Sequence, residues 1–275
     1  MAQRMIELRD GVKYEVWDQH SSSEEAILFL HGFTGNADSW HFIDEDLKDK
    51  RLVKVSLLGH GKTDVPQSIR RYAMSQQLTD LAEILDHLKL HKVNVVGYSM
   101  GGRIALALAS TYPERVAKLV LESTSPGLAT LKERKARLKH DSALARKLRV
   151  EGLSAFVDFW ENIPLFASQK LLPVEQLEKM RAGRLRSNPL GLARSLQGIG
   201  TGSQPSMWST LKLLKMPTLL VCGALDHKFC DLATRMEKEL ITSRVVCVDH
   251  TGHTVHVEQS QLFGKIVREF ILNHD

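Results

Sequence analysis

The chain has 275 residues, a length that predicts one large domain or one domain with a sizeable insertion. With 43% hydrophobic and 25% charged residues and a net charge of +5, the composition is that of an ordinary soluble globular protein. No apolar run approaches the roughly 18–20 residues that span a bilayer, and the N-terminus lacks a signal-peptide pattern, so we expect a protein that begins near Met1. The three cysteines have no metal-ligand spacing along the sequence and favour a reducing cytoplasm.

Short apolar or β-branched runs alternate along the chain with amphipathic stretches of helical length. The predicted strands are residues 26–30, 52–56, 93–97, 117–121, 218–222 and 245–248. The predicted helices are residues 75–90 and 103–110, with two more near 230–240 and 259–272. This alternation predicts an α/β fold with a mostly parallel central sheet and helices on both faces.

The alternation stops between residues 125 and 215, where the pattern is helical and punctuated by prolines. We interpret this stretch as a helical lid inserted into an α/β core. The predicted organisation is therefore residues 1–124 as the first part of the core, 125–215 as the lid and 216–275 as the second part of the core.

The strongest functional signal is Gly97-Tyr98-Ser99-Met100-Gly101, which follows a predicted strand and precedes a predicted helix. This G-x-S-x-G pattern is typical of a nucleophile elbow, in which a strained turn exposes the serine Oγ and flanking glycines avoid collisions. The alternative interpretation is a glycine-rich turn that only lets a helix pack closely on a strand. The strand–turn–helix context favours Ser99 as a catalytic nucleophile.

A catalytic serine needs a histidine base and an acid that orients it, which on this fold follow in the order serine, acid, histidine. His253 comes after the last predicted strand and is our candidate base, with His250 and His256 as fallback choices. Asp226 follows the strand before that one and is the candidate acid. Glu122 also ends a strand and is the alternative. The histidine spacing could suggest a metal site, but no carboxylate–histidine framework accompanies it, so we expect no metal.

An oxyanion hole should be built from two backbone N–H groups near the nucleophile. One is that of Met100, the residue after the serine, and the other is that of Phe33, in the turn after the first predicted strand. His31 and His60 also lie beside glycine-rich turns, and we interpret both as structural.

Several motifs in the lid and at the strand ends resemble those of a known family. The matching stretches are residues 97–103, 126–128, 133–134 with Arg137, 159–160, 164–166, 186–188, 200–205 with Trp208, 223–226 and 228–229. Over essentially its whole length the chain resembles the α/β-hydrolase superfamily, and these stretches resemble its 2-succinyl-6-hydroxy-2,4-cyclohexadiene-1-carboxylate synthases. One departure lies at Ser56 and Leu58, where relatives usually carry Asp and Pro. We expect that site to shape a turn rather than the chemistry.

The resemblance implies a lyase of menaquinone (vitamin K2) biosynthesis that eliminates pyruvate from an enolpyruvyl substrate without a metal or organic cofactor. It implies Ser99, Asp226 and His253 as a triad that abstracts a proton. The substrate-contacting positions that it implies are Tyr98, Arg103, Arg137, Trp160 and Arg186. Arginine suits a substrate with several carboxylates, because its planar fork donates two parallel hydrogen bonds to each.

The charge is distributed unevenly, with 16 lysines and arginines against 7 acidic residues in 126–215, a local net charge of +9. We therefore expect a basic lid that attracts a small polycarboxylate substrate. A serine hydrolase of esters or vinylogous C–C bonds is the main alternative, and a non-catalytic binding protein is a second. A nucleic-acid role suits the pI of about 9.1 but lacks a supporting motif. The sequence does not indicate the oligomeric state.

Overall fold

The computed structural model describes residues 2–19 and 25–272. The strands are β1 (Ala2–Glu7), β2 (Lys13–Gln19), β3 (Ala26–Leu30), β4 (Arg51–Val55), β5 (Val93–Tyr98), β6 (Val116–Glu122), β7 (Thr218–Gly223) and β8 (Ser243–Val248). The helices are α1 (Met74–His87), α2 (Met100–Thr111), α3 (Leu131–Glu161), α4 (Val174–Leu185), α5 (Pro189–Ile199), α6 (His227–Glu237), α7 (Val255–Glu258) and α8 (Ser260–Leu272). Short 3-10 helices lie at Ala37–Ile43, Ile69–Tyr72, Pro113–Arg115, Pro164–Leu171 and Trp208–Leu213.

The strands form one sheet in the order β1-β2-β4-β3-β5-β6-β7-β8. The six strands from β4 to β8 are parallel, while β1 and β2 add an antiparallel edge. From β3 the chain adds β4 toward one edge of the sheet, and from β5 to β8 it adds strands toward the opposite edge. Ligand sites of such sheets lie at the carboxyl ends of the strands where this reversal occurs. The ends of β3 and β5, which carry Phe33 and Ser99, are therefore adjacent.

Strand β3 shows how the core is divided, because all five of its residues are buried. Leu28 and Leu30 point into the cluster that packs under α1 and α2. Ile27 and Phe29 point to the other face, where they pack with Trp40 and residues of α8. A strand covered on both faces is an unbroken apolar run, as its sequence predicted. The predicted α/β-hydrolase fold, with a mostly parallel sheet and helices on both faces, is confirmed.

All six predicted strands are present with shifts of one or two residues, but β1 and β2 were not predicted. Strand β1 buries only Ile6, and β2 buries the charged side chains of Glu15 and Asp18 beside Tyr14 and Val16. Asp18 accepts hydrogen bonds from the arginine that opens β4, at 3.0 and 3.1 Å. These strands therefore lack the apolar pattern that identifies a strand in a sequence.

Between β6 and β7 the structure describes every residue, and they form helices and loops but no strand. The long helix α3 bends at Gly152, whose φ of 82° favours glycine. Beyond the bend, Phe156 and Trp160 pack against Phe33 at ring distances of 6.2 and 5.3 Å. The helical stretch thereby contacts the loop at the end of β3, in the position of a lid. The domain boundaries at 125 and 215 stay a prediction.

Candidate active site

Ser99 lies in the sharp turn between β5 and α2, with φ 50° and ψ −104°. A non-glycine residue rarely adopts a positive φ, so the turn is strained, and its N–H is fixed by donating to the Glu122 carbonyl at 2.9 Å. Gly101 makes the turn possible, because a Cβ there would lie 1.9 Å from the Leu30 carbonyl oxygen. The predicted elbow is therefore a strained turn that requires glycine at position 101.

The structure brings Ser99, His253 and Asp226 into one hydrogen-bonded chain. Ser99 Oγ lies 3.1 Å from His253 Nε2, and His253 Nδ1 lies 2.6 Å from Asp226 Oδ2. The side chains of His253 and Asp226 are only 1% and 7% exposed. An N–H donated from Nδ1 to the carboxylate leaves Nε2 as the acceptor for the serine proton. This geometry is that of an activated serine.

The alternative acid, Glu122, pairs with a different histidine. Its carboxylate accepts hydrogen bonds from the backbone N–H and from Nδ1 of His256, at 3.0 and 2.8 Å, and both side chains are buried. His250, the other fallback base, is exposed in a turn with φ 57°. Neither His250 nor His256 contacts Ser99 in the described hydrogen bonds, so Asp226 and His253 are the pair that the fold places at the serine.

The two predicted oxyanion donors lie on adjacent strand ends. Met100 is the first residue of α2, and the first N–H groups of a helix have no partner within it. Phe33 follows β3, and its loop is fixed by His31, whose Nε2 accepts from the Leu57 N–H at 2.9 Å while Nδ1 contacts the Gly32 carbonyl at 2.7 Å. Burial lowers the pKa of His31 to about 4, so it stays neutral and keeps the tautomer that these contacts need.

The ring of His60 packs against that of His31 at a centroid distance of 5.0 Å and a tilt of 58°, and burial lowers the pKa of His60 to about 3. Both histidines therefore brace the loop, as the sequence predicted. The nearby departure at Ser56 is also structural: Ser56 Oγ donates to Glu15 Oε2 at 2.7 Å and accepts from the Ala37 N–H at 2.9 Å. The buried Glu15 carboxylate of β2 is thus held by the hydroxyl of Ser56.

A cleft of about 570 Å³ opens at Ser99 and His253 and extends beneath the lid. Tyr98, Arg103, Arg137 and Trp160 all line it, as expected for predicted substrate contacts. The charged residues of its wall are Arg103, Arg137, Lys228, Arg235, Glu133 and Asp231. The wall therefore has a net positive charge, which suits an anionic ligand. Lys228 and Arg235 lie on α6, and Arg235 was missed because nothing in its local sequence distinguishes it from an exposed helix residue.

Two of the three arginines in the cleft wall, Arg103 and Arg137, are held differently. Arg103 is buried, and its Nη1 donates to the Ile199 carbonyl at 2.8 Å and to Gln204 Oε1 at 2.6 Å. Burial and the charge of Arg137 lower the pKa of Arg103 to about 10, which still leaves it charged at neutral pH. Arg137 is partly exposed and donates from Nε to Asp141 Oδ1 at 2.6 Å. The lid therefore anchors Arg103 by neutral acceptors only.

Trp160 brings a polar group to the cleft wall. Its indole Nε1 is buried and has no hydrogen-bond partner among the described residues. A buried donor without a partner costs about 1–3 kcal/mol. Trp160 Nε1 is thus a donor that a bound ligand could satisfy.

Arg186 does not line this cleft, so the structure does not bring it together with the other predicted substrate contacts, and its contact with substrate stays a prediction. Its Nη2 donates to Asp38 Oδ2 at 2.8 Å, and it borders a separate cavity of about 80 Å³. Tyr98 and Phe166 line both spaces and so lie between them. The direction of Arg186 depends on the end of α4 and on the charge of Asp38, which the local sequence does not reveal.

No helix in residues 2–19 or 25–272 is long and apolar enough to cross a membrane. Residues 25–260 match the model of the alpha/beta hydrolase fold family.

Three known proteins illustrate the similarity. A Bacillus subtilis (strain 168) protein, provisionally named as a 2-succinyl-6-hydroxy-2,4-cyclohexadiene-1-carboxylate synthase, is 54% identical over 97% of each chain. The solved structure of MenH from S. aureus is 35% identical, with a TM-score of 0.89 over 94% of this chain and 97% of that one. A thermophilic esterase from Thermogutta terrifontis, solved with malate bound, is 26% identical with a TM-score of 0.85 over 98% of each. The chain is an enzyme of the alpha/beta hydrolase type and belongs to the group of this family that includes the 2-succinyl-6-hydroxy-2,4-cyclohexadiene-1-carboxylate synthases.

Proposed function

We propose that this protein is a cytoplasmic lyase of menaquinone biosynthesis. It eliminates pyruvate from 2-succinyl-5-enolpyruvyl-6-hydroxy-3-cyclohexene-1-carboxylate and leaves 2-succinyl-6-hydroxy-2,4-cyclohexadiene-1-carboxylate. The observation that carries the proposal is the Ser99–His253–Asp226 chain at the base of a positively charged, lidded cleft. The 54% identity to a relative with this name supports the choice of substrate.

In the proposed mechanism His253 Nε2 accepts the Ser99 proton while Ser99 Oγ removes a proton alpha to the succinyl carbonyl. The electron pair left on carbon moves onto the carbonyl oxygen, where the N–H groups of Phe33 and Met100 stabilise the negative charge. Each such donor contributes about 3 kcal/mol in comparable sites. When the oxyanion collapses, the conjugated diene forms, the C–O bond to the enolpyruvyl group breaks, and the departing enolate takes a proton to become pyruvate.

The substrate carboxylates would be bound by the basic wall of the cleft. Arg103 and Arg137 offer guanidinium groups, and Trp160 offers its unpartnered indole N–H. Tyr98 lies at the base of the cleft, where burial raises the pKa of its phenol, so it stays protonated and donates to or accepts from Thr254 at 3.1 Å. Arg186 borders the neighbouring cavity and stays a predicted substrate contact that this mechanism does not use. Every step uses groups of the protein and substrate.

The test is release of pyruvate from the enolpyruvyl substrate by the purified protein, followed by coupled reduction of pyruvate. We expect Ser99→Ala and His253→Ala to lower kcat at least about 1000-fold, in line with other triads. His250→Asn is the matched control, because His250 lies in the same loop but is exposed, and Asn tolerates its positive φ. This variant should retain wild-type activity.

Ester hydrolysis is the second candidate, because the same chain of groups can also transfer an acyl group and an esterase shares the fold at a TM-score of 0.85. The two functions separate in parallel assays of pyruvate release and of short-chain ester cleavage. An enzyme that hydrolyses simple esters efficiently and releases no pyruvate would refute the lyase.

A further inference from the structure

The three cysteines are far apart in the sequence but lie close together in the fold, where α6 packs on β7 and β8. Cys222 lies on β7, Cys247 lies on β8 directly opposite it in the strand register, and Cys230 lies on α6. All three Sγ atoms lie within 4.8 Å of one another. The spacing along the chain does not reveal this cluster, because strand pairing and not sequence separation brings these side chains together.

We propose that Cys222, Cys230 and Cys247 form a three-thiol site for a trivalent thiophilic metalloid of the arsenite class. The site lies outside the Ser99 cleft, since none of the three cysteines lines it.

The distances suit one central atom bonded to three sulphurs. Metal–sulphur bonds are about 2.3 Å, so a central atom would hold its sulphurs about 3.3 Å apart at right angles or about 4.0 Å apart in a trigonal plane. Cys230 Sγ and Cys247 Sγ are already 3.5 Å apart. Since no pair exceeds 4.8 Å, small side-chain rotations are enough to complete the site.

The net charge of the site with its bound atom decides which central atom fits the three thiols. Cys222 is buried and Cys230 partly buried, and the acidic residue Asp226 lies one helical turn before Cys230, so net negative charge at the three sulphurs would be unfavourable. Three thiolates with a monovalent or divalent ion would leave net negative charge in this place. Arsenite instead reacts as As(OH)₃ with three thiols, forms three As–S bonds and releases three waters, so the product is neutral and no oxidant or reductant is needed.

The site is accessible from one side and tied to the catalytic loop on the other. Cys247 is exposed and Cys230 partly so, while Cys222 is buried. The Cys230 N–H donates to the Asp226 carbonyl at 3.0 Å, and its Sγ contacts the Gly223 carbonyl at 3.1 Å. A centre bridging the three sulphurs would clamp the loop that carries Asp226 to the neighbouring strand.

The experiment is native mass spectrometry and thermal melting of the reduced, full-length protein titrated with arsenite. We expect one adduct per chain whose mass is that of one arsenic less three hydrogens, and a raised Tm, because a ligand that binds only the folded state stabilises it. Cys230→Ser and Cys247→Ser should bind at least about tenfold more weakly and form an adduct that retains a hydroxyl. Cys222→Ala, which keeps the buried position apolar, should do the same.

Circular dichroism first establishes that each variant is folded. If a variant does not fold, the wild type is titrated with arsenite after the exposed Cys247 has been alkylated, and this titration takes the place of that variant. An adduct on the unmodified wild type that retains a hydroxyl would mean that only two thiols bind and would overturn the proposal. So would binding that is unchanged in every variant. Zinc, added in parallel, should bind more weakly than arsenite, and equal or tighter zinc binding would refute the choice of a trivalent centre.

Discussion

Replacing Asp226 by asparagine tests whether this carboxylate holds His253 in the tautomer that the proposed chemistry needs. Asp226 Oδ2 lies 2.6 Å from His253 Nδ1, and both side chains are almost fully buried. An asparagine can turn its NH₂ group toward Nδ1 and so favour the tautomer with the proton on Nε2. That nitrogen would then donate to Ser99 Oγ instead of accepting its proton.

The expected effect is large, because both side chains of the pair are almost fully buried. In a serine protease, the equivalent substitution lowers kcat about 10⁴-fold while the geometry stays intact. That factor corresponds to about 5.5 kcal/mol of activation free energy. For this protein we expect a loss of the same order in the rate of pyruvate release, with a KM close to wild type. The Tm should change little, since Asn has nearly the same shape as Asp.

Glu122→Gln is the matched control, since Glu122 is also buried and paired with a histidine, but with His256 rather than His253. Its substitution weakens hydrogen bonds at His256 and should lower the free energy of unfolding by about 1–3 kcal/mol while leaving kcat near wild type. If Glu122→Gln abolished activity while Asp226→Asn kept it, the assignment of the acid from this geometry would be refuted.

Three further predictions concern stability and the charge of the lid. Gly101→Ala should lower the free energy of unfolding by more than about 3 kcal/mol in urea denaturation, because its Cβ would meet the Leu30 carbonyl at 1.9 Å. Gly183→Ala, whose Cβ has no neighbour closer than 3.8 Å, should be neutral or stabilising, and equal losses in the two variants would contradict this reasoning. His31 and His60 have folded pKa values of about 4 and about 3, below the ordinary 6.5, so the unfolded chain binds more protons in acid. The free energy of unfolding should therefore be highest above pH 6.5 and fall by up to about 2.7 kcal/mol per pH unit as the pH drops toward 4. Urea midpoints that stay constant from pH 7 to pH 5 would contradict this expectation. Added salt should lower kcat/KM and leave kcat unchanged if the +9 lid attracts the substrate, whereas a kcat/KM independent of salt would count against that role.

Much of the candidate site could be predicted from sequence because its signals are local. The G-x-S-x-G turn at Ser99 depends on residues within two positions of the serine, and β3, β5 and β7 are apolar runs because both faces of the sheet are covered. Asp226 and His253 follow from chain order, since parallel strands bring their carboxyl ends to one edge of the sheet.

Features that depend on which surfaces meet required the tertiary structure. Glu122 and His256 are distant in sequence and pair only because β6 and α7 converge, and Arg186 is directed to the smaller cavity by Asp38. The strand β2 was not predicted because its buried positions include charged residues, and these residues have hydrogen-bond partners elsewhere in the sheet.

The three cysteines illustrate the same limit. The sequence by itself determined their number and their thiol chemistry, but their spacing indicated no common site. Only the pairing of β7 with β8 and the packing of α6 on them decided that the three sulphurs meet. Local backbone preferences and burial patterns depend on neighbouring residues in the sequence. The partners of a side chain depend instead on contacts between segments that are far apart in the chain.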